Sequence, residues 1–268
     1  MKTTANLWLI VLLLGALLQP SCMAGDGPDL QPHRAALDNP APRRILFVGN
    51  SYLYYNDSIH NHVKRIAEEN GPYKAGDYGY KSATIGGARL SHHNIDSLLE
   101  PGRLGIDEPF DLVILQGGSS EPLSEESRQA FEAKAIELNE KIRDTGAEVA
   151  LYMTHAYVEP HNRFDPNMIE KIEPTYVLTG NKIDALVIPV GLAFERAYEE
   201  RPEMQLHKAF DGTHPSLLGT YLAACVVYAS VYQRPVADIA YDYFGAVSAD
   251  DARFLRRIAD TTVAEFFK

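Results

Sequence analysis

Short apolar runs, each closed by a glycine or polar turn and followed by a segment of helical period, constrain this chain more than any other feature. Ile45-Leu46-Phe47-Val48 ends in Gly49, and Phe110 to Gln116 ends in Gly117-Gly118. A strand that is apolar at every position has no wet face, so it belongs in a parallel sheet covered on both sides. Tyr80 to Ile85, Glu148 to Thr154 and Ala185 to Val190 read as further strands. Helices alternate with them. Asn56, Asp57 and Ser58 offer N-caps to a helix in which Ile59, Val63 and Ile66 recur at helical spacing, and Asn70-Gly71-Pro72 stops it. Ile95 to Leu99 is a short helix. Ser124 caps a longer one, with Glu125 and Glu126 at its positive end, Phe131, Ala135, Leu138 and Ile142 as its buried stripe, and Gly146 beyond it. Five strand-helix repeats predict a five-stranded, mainly parallel sheet with helices on both faces, wound right-handedly. Such sheets bind ligands beyond the carboxyl ends of their strands, where the strand order reverses.

The first 24 residues differ from the rest. Lys2 precedes an apolar stretch, Leu7 to Leu18, that is too short to cross a bilayer and suits the core of an export signal. Two readings of its removal stand: cleavage after Ala24, or a lipoprotein with Cys22 as its acylated first residue, of which the second is the weaker because Gln19 and Pro20 flank the cysteine poorly. Residues 25–42, with Pro28, Pro32, Pro40 and Pro42 and no apolar period, read as a flexible tether. A single domain is expected over residues 43–268, with no transmembrane span once the leader is gone. Either cut leaves Cys225 without a disulfide partner, so the core must hold the fold. A formal charge of −11 with no basic tract argues against nucleic acid.

Several segments on the expected ligand-binding edge can carry chemistry. The loop Gly49-Asn50-Ser51-Tyr52 puts a hydroxyl at the end of a buried strand, where helix amides could stabilise an oxyanion; a plain turn or cap explains the same residues. A serine nucleophile needs a base and the base an orienting acid. Asp211-Gly212-Thr213-His214-Pro215 could supply both from one turn, with Pro215 opening the apolar helix Leu217 to Tyr232, and a capped helix start is the alternative. Asp57 and His60 repeat the spacing, but His60 lies on the helix that starts at the serine loop and cannot fold back over it. Ile85-Gly86-Gly87-Ala88 and Gln116-Gly117-Gly118-Ser119-Ser120 end strands on the same edge, as plain turns or as close walls for an oxyanion. The long connection His155 to Asp184, with Tyr157, His161, Arg163 and Tyr176, reads as a wall of the substrate site.

No metal is expected, because His60 with His62 and His92 with His93 lack an i,i+4 histidine pair or H-E-x-x-H, and no cysteine set accompanies them. No cofactor is expected either, since both glycine-rich phosphate signatures are missing. Cys225 sits with Leu222 and Val226 on an apolar helix face and reads as packing. The α/β-hydrolase elbow G-x-S-x-G does not occur.

Taken in order, these segments resemble the SGNH hydrolases, the GDSL-like esterase superfamily. Gly49-Asn50-Ser51 is similar to its first block, Gly87 to the glycine of its second, Gln116 to Ser120 to its third and Asp211-Gly212-Thr213-His214 to its last. The likeness spans most of residues 43–232 and is closest to branches that begin G-N-S-Y and close with D-G-x-H-P-S. It implies a flavodoxin-like three-layer α/β/α sandwich and a serine esterase. Ser51 would be the nucleophile, His214 the base and Asp211 its orienting acid. Asn50 stands where the family's first block usually has aspartate. The third-block asparagine, which donates a side-chain hydrogen bond to the oxyanion in such enzymes, is missing; Ser119 falls near its place, so the expected oxyanion hole is Ser51, Gly87 and either Gln116 or Ser119. Tyr52, Tyr54 and Tyr55 could stack on a sugar ring, which favours carbohydrate deacylation, although half-buried packing also explains them. The rival readings are a lipid or thioester hydrolase or an acyltransferase on the same triad, an exported carbohydrate-binding protein of the same fold, and a flavin-binding flavodoxin relative.

Overall fold

A computed structural model describes residues 30–268. Along the chain run β1 (Arg44–Gly49), α1 (Ser51–Tyr54), α2 (Ile59–Asn70), β2 (Gly79–Thr84), α3 (Ile95–Leu99), β3 (Leu112–Leu115), α4 (Glu125–Arg143), β4 (Glu148–Tyr152), α5 (Ile169–Lys182), β5 (Leu186–Ile188), α6 (Val190–Glu200), α7 (Leu217–Tyr232) and α8 (Ala249–Phe266). The five strands lie in the order β2-β1-β3-β4-β5, and each neighbouring pair is parallel. This is the flavodoxin-like order, and it reverses at β1, between β2 and β3.

Alternation along each strand divides the core into two layers. Ile45, Phe47, Leu112, Ile114, Ala150, Tyr152, Leu186 and Ile188 face α2, α6, α7 and α8. Leu46, Val48, Val113, Leu115, Val149, Leu151 and Val187 face α3, α4 and α5. Both faces are therefore dry, as the unbroken apolar runs require. Helix α7 is buried along nearly its whole length and has no polar face, because it lies between α2, α6 and α8. Cys225 is buried within it.

Several details depart from the sequence-based expectations. The connection His155 to Asp184 is loop only in its first half, where His155 and Tyr157 lie against the site; its second half is α5, which packs Ile172, Tyr176 and Val177 into the core around Pro174. Pro215 does not open α7; Ser216 is the N-cap, its Oγ accepting from Gly219 N–H at 3.2 Å, and Pro215 forms a bridge to His207. Asn56, Asp57 and Ser58 all have positive φ, and the Ser58 hydroxyl donates to the Leu53 carbonyl instead of capping α2. The stretch expected as a tether lies, over residues 30–42, against the domain. Arg34, its side chain 9% exposed, pairs with Glu148 at the start of β4 and with Asp184 before β5, the Glu148 carboxylate also accepts from Asp38 N–H and Asn39 N–H at 2.9 Å each, and Leu37 is buried. Specific ion pairs, which apolar periodicity does not register, dock this segment. The expected leader and Cys22 lie outside the described residues.

Candidate active site

Ser51 opens α1 directly off the carboxyl end of β1, at the reversal of strand order. Asn50 is its N-cap, the side-chain oxygen accepting from Tyr52 N–H at 3.1 Å. The other end of that amide donates to the carbonyls of Ala88 and Gly117, at 2.9 and 3.2 Å. One buried side chain thus ties the first strand end to the two flanking ones. An amide can do this because it donates as well as accepts; an ionised carboxylate could not make the two donor bonds.

The histidine arrives on the loop before α7. Gly212 sits in the left-handed region at φ +63°, and a β-carbon there would run into the Val158 carbonyl, so the turn takes glycine for both reasons. Asp211 Oδ1 accepts from Thr213 N–H and His214 N–H at 2.9 and 3.1 Å, which leaves Oδ2 for His214 Nδ1 at 2.7 Å. His214 Nε2 lies 2.8 Å from Ser51 Oγ. Partial burial pushes the Asp211 carboxyl up, but the Thr213 N–H, the His214 ring and the His214 N–H outweigh it and hold the group below its usual range. Asp211 is therefore ionised at neutral pH, holds Nδ1 as the protonated nitrogen and leaves Nε2 free to accept from Ser51. Tyr55 stacks on the far side of the His214 ring at 4.4 Å and fixes its tilt.

Beneath this turn lies a support the sequence reading missed. His155, at the end of β4, is fully buried between the rings of Tyr52 and Phe194, at 4.2 and 4.3 Å. Its Nε2–H donates to the Thr213 carbonyl at 2.9 Å, and the Tyr52 hydroxyl pairs with Thr213 Oγ1 at 2.7 Å. Burial holds the His155 imidazole far below its ordinary pKa, so it is a neutral strut, not a base. Its position just past a strand end on the ligand-binding edge was the available signal.

The third strand end differs from expectation at Gln116. That side chain is fully buried and turned back under β1: Oε1 accepts from Asn50 N–H at 3.0 Å and Nε2 donates to the Gly117 carbonyl. It fills the space a β-carbon at Gly49 would need, so Gln116 is excluded from the oxyanion hole. Ser119 is half-buried, its Oγ accepting from the Tyr157 hydroxyl at 2.9 Å. Glu121, also missed, is buried below it and accepts from Gly118 N–H; burial raises its pKa above the usual carboxylate value. Gly87 is exposed in the turn after β2, and neither its N–H nor that of Ser51 has an acceptor among the described residues.

Tyr52 is likewise corrected as a substrate contact, because its ring is stacked inside on His155 and is only 3% exposed. Tyr54, 42% exposed, and the half-buried Tyr55 stack on each other at the surface. The other histidine pairs have structural partners: His60 Nδ1 meets Ser58, and His62 is held between the Asn56 carbonyl and the Tyr241 hydroxyl. Cys225 is raised far above a reactive thiol's pKa by burial.

No family model matches the chain, and no curated protein matches it. Solved structures do. A DUF4886 family protein from Bacteroides uniformis superposes with a TM-score of 0.64 at 18% identity, covering 84% of this chain and 96% of that one. A protein assigned to the SGNH hydrolases, from Slackia heliotrinireducens, gives 0.57 at 24% identity over 70% of this chain and 97% of its own. An acetyl xylan esterase gives 0.55 at 16% identity over 70% and 99%. The chain has the SGNH hydrolase fold. Within that SGNH fold, Ser51, Gly87, Ser119 and the Asp211–His214 turn all fall at the strand ends and loops of one edge, and they were the segments that suggested it.

Proposed function

We propose that this chain is an exported serine ester hydrolase that removes acetyl or other short acyl groups from carbohydrate. The observation that carries the reading is the unbroken contact chain Ser51 Oγ, His214 Nε2, His214 Nδ1, Asp211 Oδ2, at 2.8 and 2.7 Å. Ser51 Oγ attacks the acyl carbonyl carbon while its proton passes to His214 Nε2, and the ionised Asp211 stabilises the imidazolium. The carbonyl oxygen becomes an oxyanion, held by the amides of Ser51 and Gly87 and the hydroxyl of Ser119. Collapse of this intermediate breaks the ester bond, and His214 returns the proton to the departing sugar hydroxyl. Water, deprotonated by the same histidine, then releases the acid and restores Ser51. Tyr157 supports Ser119 as the replacement donor, because by donating to Ser119 Oγ it leaves that hydroxyl's proton for the oxyanion.

Support for a short acyl group on sugar comes from the exposed Tyr54 ring, stacked on the half-buried Tyr55 beside the proposed triad, and from the acetyl xylan esterase among the proteins of this fold. Export rests on the apolar stretch Leu7 to Leu18. The test is a profile of kcat/KM against acyl length on 4-nitrophenyl esters, with acetate release from acetylated xylan measured beside it. A steep fall beyond acetyl with release from the glycan is expected. A rate that climbs with chain length would replace this reading with a lipid or thioester hydrolase.

A further inference from the structure

Cations gather at the mouth of this site in a protein whose formal charge is −11. Many lysines and arginines of the described residues are engaged by acids in ion pairs, such as Arg34 with Glu148, Arg65 with Asp57, Lys171 with Asp165 and Arg257 with Glu200. Arg89, Arg163 and Lys208 are among those that form none, as are Arg43, Lys81 and Arg234 elsewhere, and the first three stand on separate loops about Ser51 and His214, with Lys208 Nζ donating to Asn56 Oδ1 at 3.1 Å. Arg89 follows the Gly87-Ala88 turn, whose Ala88 carbonyl is bonded to Asn50, and its Cγ packs against Gly118, 3.2 Å from where a β-carbon would stand. Arg163 is anchored through its own N–H to His161 Nδ1 at 3.1 Å. The His161 ring stacks on Tyr157 at 3.8 Å, and the Tyr157 hydroxyl bonds Ser119. Lys208 Nζ sits 5.8 Å over the Tyr55 ring, which itself covers His214.

Several acids of these segments are held elsewhere, although Glu121 feels the charge of the Arg89 guanidinium across Gly118. Asp211 is committed to His214 and Glu121 is buried against Gly118, while Asp57 and Asp165 already have cationic partners. Glu159 and Glu203 share a groove with Lys208, and neither forms an ion pair. Exposed cations set around a site, inside a surface of the other sign, draw ligands of the opposite charge. Guanidinium forks such as those of Arg89 and Arg163 match a carboxylate in two-point geometry. Beside them, the stacked Tyr54 and Tyr55 present a flat aromatic face of the kind that sugar rings pack on.

We propose that the site takes an anionic glycan ester, a sugar chain bearing carboxylates near the acyl group, which Arg89, Arg163 and Lys208 bind. The proposal deepens the hydrolase reading and rests on it for the word ester. Its binding part is tested separately, by titrating trigalacturonate and neutral xylotriose into the Ser51→Ala protein in a calorimeter at low and high salt. Trigalacturonate should bind where xylotriose does not, and weaken about tenfold or more as salt screens the exposed charges. Arg89→Gln, Arg163→Gln and Lys208→Gln should each weaken it by about two- to fivefold. Arg253→Gln, on the exposed face of α8, should leave it unchanged. Equal binding of the two sugars, a salt-independent affinity, or binding of anionic phospholipid vesicles in place of trigalacturonate would overturn the proposal. If native protein forms a covalent fluorophosphonate adduct at Ser51 yet ignores trigalacturonate, this inference fails and the hydrolase reading stands. If trigalacturonate binds and no adduct forms, the reverse holds.

Discussion

The proposed nucleophile Ser51 lies among neighbours whose polar groups are already committed, which is what the reading requires of it. Asp211 uses one oxygen to hold its own turn and the other to hold His214, so Asp211→Asn should keep the fold and favour the wrong imidazole tautomer. A loss of the order of 10⁴-fold in ester turnover is expected, measured as kcat on 4-nitrophenyl acetate beside an unchanged melting temperature. Gly49 tests the other side of the site. A β-carbon there would stand 2.5 Å from Gln116 Oε1 and 2.8 Å from Leu53 Cδ1, so Gly49→Ala should cost about 1–3 kcal/mol in chemical denaturation. The residues of the proposed triad were legible in the sequence because Gly-x-Ser after an apolar strand and Asp-x-x-His before an apolar helix are local signals. Gln116, His155 and Glu121 were read wrongly or not at all. Their roles depend on which way a side chain turns after a strand ends, and period and spacing do not carry that information.

At the scale of elements, the strands and α4 followed from apolar runs and capping alone, since each has its signal within its own residues. The helix α5 was missed because Pro174 lies inside it and the long loop before it hides its start. Residues 30–42 were misread for another reason: their attachment is by charge to Glu148 and Asp184, far along the chain. Arg34→Ala should therefore leave Glu148 half-paired at the start of β4 and lower stability by about 2 kcal/mol, seen as a shift in denaturant midpoint. If residues 30–42 were only a tether, the variant would unfold with the wild type.

For the whole molecule, buried titratable groups set opposite pH limits. His207, 6% exposed, is held at about 4 by burial, against the helping bond to the Ala156 carbonyl. Unfolded, it would take its proton near pH 6.5, so the unfolded chain binds more protons in between; stability is full above pH 6.5 and is lost as pH falls to 4. The loss reaches on the order of 3 kcal/mol, and His207→Gln should flatten that limb of a stability-against-pH curve. Glu195 works the other way, raised to about 7 by burial and then by Glu199. The folded chain keeps that proton, stability falls as pH climbs from 4.5 to 7, and Glu195→Gln should make the protein more stable at pH 8. These groups shape the pH window in which the fold is stable; the central claim concerns Ser51 itself. Intact-mass detection of a fluorophosphonate adduct tests it most directly, because it needs no knowledge of the natural ester. The account predicts one adduct on the native protein, absent from Ser51→Ala and from His214→Ala. A native protein that stays unlabelled, or a Ser51→Ala protein that labels as well as wild type, would contradict it.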